Sequence, residues 1–318
     1  MEQLYPLIRA VAIFFLLVLL IQILKRRGVF TTEHLPVFGK LITELVLPIA
    51  IFSTLSVSHF EPRLLFGGMI YLTVSLVTCG IAFLACRYFR FSNAVTGSIV
   101  ILAGFGSTAT VAYPLIAQTY GQGSEAMTNA MVIGEFGSAL PFFTIGVLLV
   151  SYFGQKEGGD AAQAAFASLK SFVRTPIFIS LAAGVAVSLI PPASALMTSP
   201  LFTAFFDYFN NAFEMLAAIT VGLMLRPVNL REISRYLAIT LPLSLLFMPL
   251  AIFGIATLTG VSALTREILV IEAAVPSGAI AAVIAERYGC DGPLASTIVV
   301  VSFLCSLVTL PVLSIFLL

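Results

Sequence analysis

The chain has 318 residues, 59% of them hydrophobic and 10% charged, with a mean hydropathy of +1.08 and a formal net charge of +1. An ordinary soluble domain carries about 25% charge, so a soluble globular protein is excluded, and with no basic patch to track phosphates so is a nucleic-acid partner. Four cysteines without a CxxC, and two histidines, give no basis for a disulfide framework, a zinc site or another metal or cofactor centre.

A bilayer core of about 30 Å needs roughly 20 apolar residues per helix. The first apolar stretch, Tyr5 to Leu24, is too long for a signal-peptide core, has no small-residue cleavage site and ends in Lys25, Arg26 and Arg27. It predicts a permanent first span. Gly, Pro and charge breaks then predict spans near 36 to 57, 64 to 86, 94 to 120 and 125 to 152, and in the second half near 175 to 190, 201 to 225, 233 to 259, 267 to 288 and 293 to 317. The expectation is an all-α membrane protein of ten transmembrane helices. The longest polar insert, Gly154 to Lys170, predicts a turn and a short interfacial helix between residues 1–153 and 174–318, within a cytoplasmic connector over 154–173.

If loops after odd-numbered spans are cytoplasmic, that side holds thirteen Lys and Arg, and Arg9, Arg63 and Arg266 remain for the other. The positive-inside rule then puts both termini outside a multi-pass protein of the cell membrane. With five spans per half, the second half enters upside down, a 5+5 inverted repeat. The sequence echoes this: Ile116 to Gly121 (IAQTYG) returns at Ile284 to Gly289 (IAERYG), an offset of 168 residues. Span four pairs with span nine.

Both of these spans carry breaks. Gly104, Gly106, Ser107, Thr108 and Pro114 interrupt span four, and Pro276, Ser277 and Gly278 fall at the repeat-related place in span nine. Non-helical backbone at mid-membrane persists only when buried in protein or lining a wet cavity. Two broken helices that cross there would aim the positive ends of half-helices at the midplane, a site for an anion. No Lys or Arg falls near the centre of any span. The candidate substrate-binding residues are therefore Gly106, Ser107, Thr108, Thr110, Tyr113, Pro114, Pro276, Ser277 and Gly278. Against this stands a bland alternative in which the hydroxyls repair helix ends and the small residues form a packing seam.

Acids within spans are costly and call for a partner or a role. Glu272, on the repeat position of Gly104, is the first candidate for handling a coupling ion, H+ or Na+. Glu135 faces the crossover or, with Gly134 and Gly137, a close-packed interface. Glu44 and Glu214 are repeat-related; the plainer reading pairs Glu44 with Lys40 at i, i+4 and leaves Glu214 to Asn210 and Asn211. Asp207 lies near a span end, where water reaches it.

LPIAIFSTLS (Leu47 to Ser56), GSTATVAYPL (Gly106 to Leu115) and the long ending that starts VPSGAIAAVIAERYG at Val275 resemble the auxin efflux carrier family, whose bacterial members include malonate and other organic-acid transporters. The resemblance spans essentially the whole chain. It implies a ten-helix inverted repeat with helices four and nine crossing at a substrate site, spans 1, 2, 6 and 7 as scaffold, and spans 3–5 and 8–10 as a mobile domain. It also implies an elevator-type motion and a homodimer. The family's span-four pattern resembles GNTGFLGLP, so its Asn falls on Ser107 and two of its glycines on Ala109 and Ala112; its span-nine Asn falls near Ile280. An amide donor is thus absent from each crossover.

The expected function is secondary active transport of a small organic anion, a mono- or dicarboxylate that is auxin- or malonate-like, with no covalent step. A sodium-coupled bile-acid-type symporter, a cation/proton antiporter of the same plan, or a channel or sensor are the alternatives. An intramembrane enzyme finds no HExxH and no histidine inside a span.

Overall fold

The computed structural model describes residues 4–57, 63–154, 170, 173–224 and 230–317, which are helical with no strand among them. The connector expected over 154–173 lies almost wholly outside the described residues, as do His59 and the side chain of Glu214.

In chain order the helices are α1 (Leu4–Arg26), α2 (Thr32–Val57), α3 (Arg63–Tyr88), α4 (Asn93–Gly104), α5 (Tyr113–Tyr120) and α6 (Glu125–Gly154). They continue with α7 (Pro176–Ser188), α8 (Pro191–Met197), α9 (Pro200–Met224), α10 (Ile233–Thr259), α11 (Ala263–Ala273), α12 (Ala279–Arg287) and α13 (Gly292–Leu317). Five of these regions are long and apolar enough to cross a membrane: Thr32–Val57, Leu64–Tyr88, Glu125–Gly154, Ile233–Thr259 and Gly292–Leu317. The chain is a multi-pass membrane protein.

Polar caps set several starts. Ser92 accepts the Val95 amide ahead of α4, Thr175 that of Phe178 ahead of α7, Ser262 that of Thr265 ahead of α11, and Asp291 that of Leu294 in α13. Gly121 and Gly260 close α5 and α10 with φ of 92° and 68°, which a side chain would resist. Short π-helical turns interrupt others, over Ile42–Val46 in α2, Gly134–Ala139 and Phe142–Gly146 in α6, and Leu243–Phe247 in α10. Such turns shift the helix face by an extra residue and often mark functional positions.

The chain divides into two compact units. The first comprises Met1–Leu64, Ala109–Met131 and Val173–Arg226, and the second Leu65–Thr108, Val132–Phe172 and Pro227–Leu318. In the first, α2 packs on α7 and α1 on α9. Small residues allow the approach: a Cβ on Gly184 would stand 2.9 Å from that of Leu55, and one on Gly222 2.7 Å from that of Ile21. Lys25 donates to the Leu223 carbonyl at 2.9 Å, setting a cation on the negative end of α9.

The second unit gathers α3, α4, most of α6 and α10 to α13. Gly137 in α6 lies so close to α3 that a Cβ there would stand 2.7 Å from the Gly68 carbonyl oxygen and 3.1 Å from Tyr71 Cβ. At one end the loop after α12 is locked onto α4, with the Asp291 amide donating to Ala94 O at 3.2 Å and Ser98 Oγ donating to Asp291 O at 3.0 Å.

Candidate functional site

The helix that begins as α4 stops at Gly104, runs extended through Phe105–Ser107 and resumes as a π turn over Thr108–Ala112 that leads into α5. That which begins as α11 stops at Ala273 and resumes at Ala279. The two gaps meet. Ser107 N donates to Pro276 O at 2.8 Å, Gly278 N donates to Phe105 O at 3.0 Å, and Gly106 and Ser277 form an isolated antiparallel bridge. Each stretch thus supplies the partners the other lost on leaving its helix, which is what unwound backbone in a low-dielectric interior requires.

Close approach explains the residue types. A Cβ on Gly106 would sit 3.0 Å from Val275 Cγ2, and one on Gly278 would sit 3.3 Å from the carbonyl oxygens of both Phe105 and Gly106. Gly104 has no room at all: a Cβ would enter Cys79 Sγ and come within 3.0 Å of Ser75 O.

Hydroxyls close the broken ends. Ser277 Oγ donates to Leu102 O at 2.7 Å and Ser75 Oγ to Gly104 O at 2.5 Å, capping the last carbonyls of α4, while Ser277 N donates to Ser302 Oγ at 3.1 Å. Ser277 therefore binds the α4 backbone with its hydroxyl and the Ser302 side chain with its amide. Thr108 is buried and Ser107 half-buried. Thr110, Tyr113 and Pro114 follow in the stretch that belongs to the first unit, Thr110 half-buried and the other two buried.

Glu272 occupies the last turn of α11, where the negative end of the helix disfavours a carboxylate. It is wholly buried, and neither carboxyl oxygen has a hydrogen-bond partner. Glu135, also buried, lies on the Gly134–Ala139 π turn of α6, near enough to act on Glu272 through its charge. Gly137 meanwhile forms the close contact with α3, so this turn serves both as packing interface and as neighbour of the crossover acid. Glu44 pairs with Lys40 at 3.9 Å on an exposed face; Asp207 is exposed. Among the described residues no group of three metal-ligating side chains forms.

Four residues of this neighbourhood carried no signal in the sequence. Ser75, Ser138 and Ser302 read as ordinary small residues of apolar spans. Tyr71 read as a core aromatic, yet its phenol lies against the Gly106 backbone and Ser138, within electrostatic reach of Glu272. Only the pairing of spans makes these positions stand out.

Apolar helices of membrane-crossing length, together with two discontinuous helices whose unwound segments pair in the interior, are the features of a polytopic membrane carrier. The model of the membrane transport protein family matches residues 6–314, and the chain belongs to that family, the auxin efflux carriers. Similar proteins include a transporter of Methanothermobacter thermautotrophicus, 28% identical over 306 residues that cover 94% of each chain, and one of Methanocaldococcus jannaschii, 22% identical over 289 residues covering 88% of this chain and 89% of its relative; both are described as uncharacterized transporters. The protein is a membrane transporter, not an enzyme.

Proposed function

We propose that the protein is a secondary active transporter of a small organic anion, a mono- or dicarboxylate, working by elevator-type alternating access on a ten-helix 5+5 inverted repeat. The observation that carries this reading is the hydrogen-bonded pair of unwound segments, Phe105–Ser107 and Pro276–Gly278, beside a buried carboxyl. These segments suit a carboxylate: α12 begins at this gap and brings the positive end of its dipole there, and Ser107 and Thr108 are the hydroxyl residues of the opposite stretch of the crossover. In this reading spans 1, 2, 6 and 7 are the scaffold and spans 3–5 and 8–10 the mobile domain; the two compact units of the chain support it except over Ala109–Met131, which belongs to the first unit. Coupling to H+ or Na+ falls to Glu272 and Glu135 before Glu44 and Glu214. The protein works in the cell membrane, as a homodimer, with both termini outside.

One observation favours a second reading. An acid pair at a crossover suits a cation/proton antiporter, and Glu135 stands beside Glu272. Uptake by proteoliposomes of labelled mono- and dicarboxylates, under imposed proton or sodium gradients, separates the two. Carrier function for an organic anion predicts saturable, exchangeable uptake that falls at least about tenfold, equivalent to about 1.4 kcal/mol, in Ser107→Ala, Glu272→Gln and Ser277→Ala at unchanged protein levels. Normal kinetics in all three variants would overturn it, and cation-for-proton exchange without any organic acid would establish the antiporter.

A further inference from the structure

We propose that Arg87, Arg90 and Arg235, with the aromatic rings around them, form a binding site for the headgroup phosphate of an anionic phospholipid at one face of the membrane. The site lies wholly in the second compact unit and does not depend on what the crossover carries.

Depth comes first. Two of the helices long and apolar enough to cross a membrane have an end here: Leu64–Tyr88 finishes where the turn after α3 begins, and Ile233–Thr259 starts just before Arg235. Contact joins the two ends, because Arg235 Cζ lies 5.5 Å from the Phe91 ring centroid and the rings of Phe91 and Tyr236 meet edge to face at 4.9 Å. The turn and the start of α10 therefore share one level, the boundary between hydrocarbon and water. Tyr88 is 81% exposed there and Phe89 57%, large rings that suit a lipid boundary better than open water.

The backbone of the turn gives a second, independent sign. α3 closes in a Schellman arrangement: Phe91 N donates to Cys86 O at 3.0 Å, Arg90 N donates to Arg87 O at 3.2 Å, and Arg90 takes the left-handed conformation with φ 54°. Glycine adopts that conformation without steric cost. Among the described residues every other positive φ belongs to a glycine, and the turn after α10, which precedes the Ser262 cap as this one precedes Ser92, has Gly260 there with φ 68°. An arginine held in the place of a glycine is there for its side chain, not for the turn.

The guanidinium of Arg235 is prepared for an anion. It stacks over the Tyr236 ring at 4.7 Å as well as over Phe91, and donates one N–H to the Tyr236 hydroxyl at 2.5 Å. Stacking fixes its plane, and the side chain stays exposed, with its remaining N–H groups in the fork that matches two phosphate oxygens. Arg87 and Arg90 are exposed on the turn beside it. Among the described residues no carboxylate forms an ion pair with these three arginines, and Asp291, whose amide donates to Ala94 O at the start of α4, accepts the Leu294 amide with Oδ1. The sequence has no Asp or Glu from 62 to 124 or from 233 to 266. Uncompensated positive charge at this depth calls for the anionic groups of the bilayer surface. The exposed rings decide the source, since they lie against glycerol and acyl chain, which a free phosphate lacks.

The chain has no tryptophan, so Tyr88→Trp provides a single fluorophore at the site. Its quenching by dibrominated phosphatidylglycerol and by dibrominated phosphatidylcholine, in nanodiscs of the purified full-length protein, measures the relative affinity for the two lipids. The expected result is a preference of about fivefold or more for phosphatidylglycerol, roughly what one arginine contributes at an anionic membrane surface. Adding Arg90→Gly, which gives the turn the residue found after α10, or adding Arg235→Gln, brings that ratio towards one. The melting temperature with Arg90→Gly stays the same or rises in phosphatidylcholine nanodiscs; a fall would show that Arg90 serves the fold and would overturn the proposal. Equal quenching by the two lipids, or a preference undiminished by either substitution, would overturn it as well. So would a preference erased by millimolar inorganic phosphate at constant ionic strength, which would assign the arginines to a soluble anion.

Discussion

Gly104 and Glu272 lie 168 residues apart, the offset at which the sequence echoes itself, and do opposite things. At Gly104, α3 leaves no room for a Cβ between Cys79 and Ser75; Gly104→Ala is expected to cost about 1–3 kcal/mol through overpacking, read as a lower melting temperature in detergent. Glu272, at that offset, is a buried carboxyl with no hydrogen-bond partner. Cys290, between α12 and α13, shows the packing of the other end: its thiol donates to Val150 O at 3.5 Å, and burial with the nearby Asp291 charge pushes it up to about 12. The thiol stays protonated as pH rises through the neutral and mildly alkaline range, and thiolate appears only near that value. Cys290 is therefore expected to resist maleimide at pH 8 in the folded protein and to react on denaturation, measurable by mass spectrometry.

At the scale of the element, the crossover is held by backbone bonds that truncating a side chain leaves in place and by hydroxyls that it removes. Ser277→Ala strips the donor from Leu102 O and leaves a buried carbonyl unsatisfied, at a cost of about 1–3 kcal/mol. Ser302→Ala does the same to the Ser277 amide. Thermal unfolding of both variants should show destabilisation with the helical signal intact at low temperature, and a melting point unchanged in both would show that the hydroxyls do not hold the crossover. The π turn over Gly134–Ala139 has a double duty, since it seats Gly137 against Gly68 and carries Glu135 and Ser138.

Across the whole molecule, the charge asymmetry of the loops makes a topological claim. A cysteine in place of Thr31, after the first span, is expected to be shielded from a membrane-impermeant thiol reagent in intact cells. One in place of Glu125, after the fourth, is expected to label; both positions are exposed in the fold. The reverse pattern would invert the orientation. The proposed elevator mechanism predicts that a cross-link fixing the unit containing Glu272 to the unit containing Lys25 stops uptake while leaving binding of the anion measurable.

The sequence alone determined the all-helical membrane class, because a charge content of 10% with runs of about 20 apolar residues has no other stable home in water or lipid. It also located both interruptions, since Gly, Ser and Pro weaken a helix locally and need no tertiary partner to do so. It did not disclose the short helix Pro191–Met197 or the π turns, whose apolar residues read as plain continuation. Nor did it tell which Ser among many apolar neighbours caps a broken end, or that Tyr71 faces Gly106. Those contacts join residues as far apart in the chain as Leu102 and Ser277, and in a bundle where nearly every face is hydrophobic no periodicity marks which face meets which. Only the tertiary structure decided that the two breaks pair through their backbones, and that the buried Glu272 beside them has Glu135 and Tyr71 for neighbours.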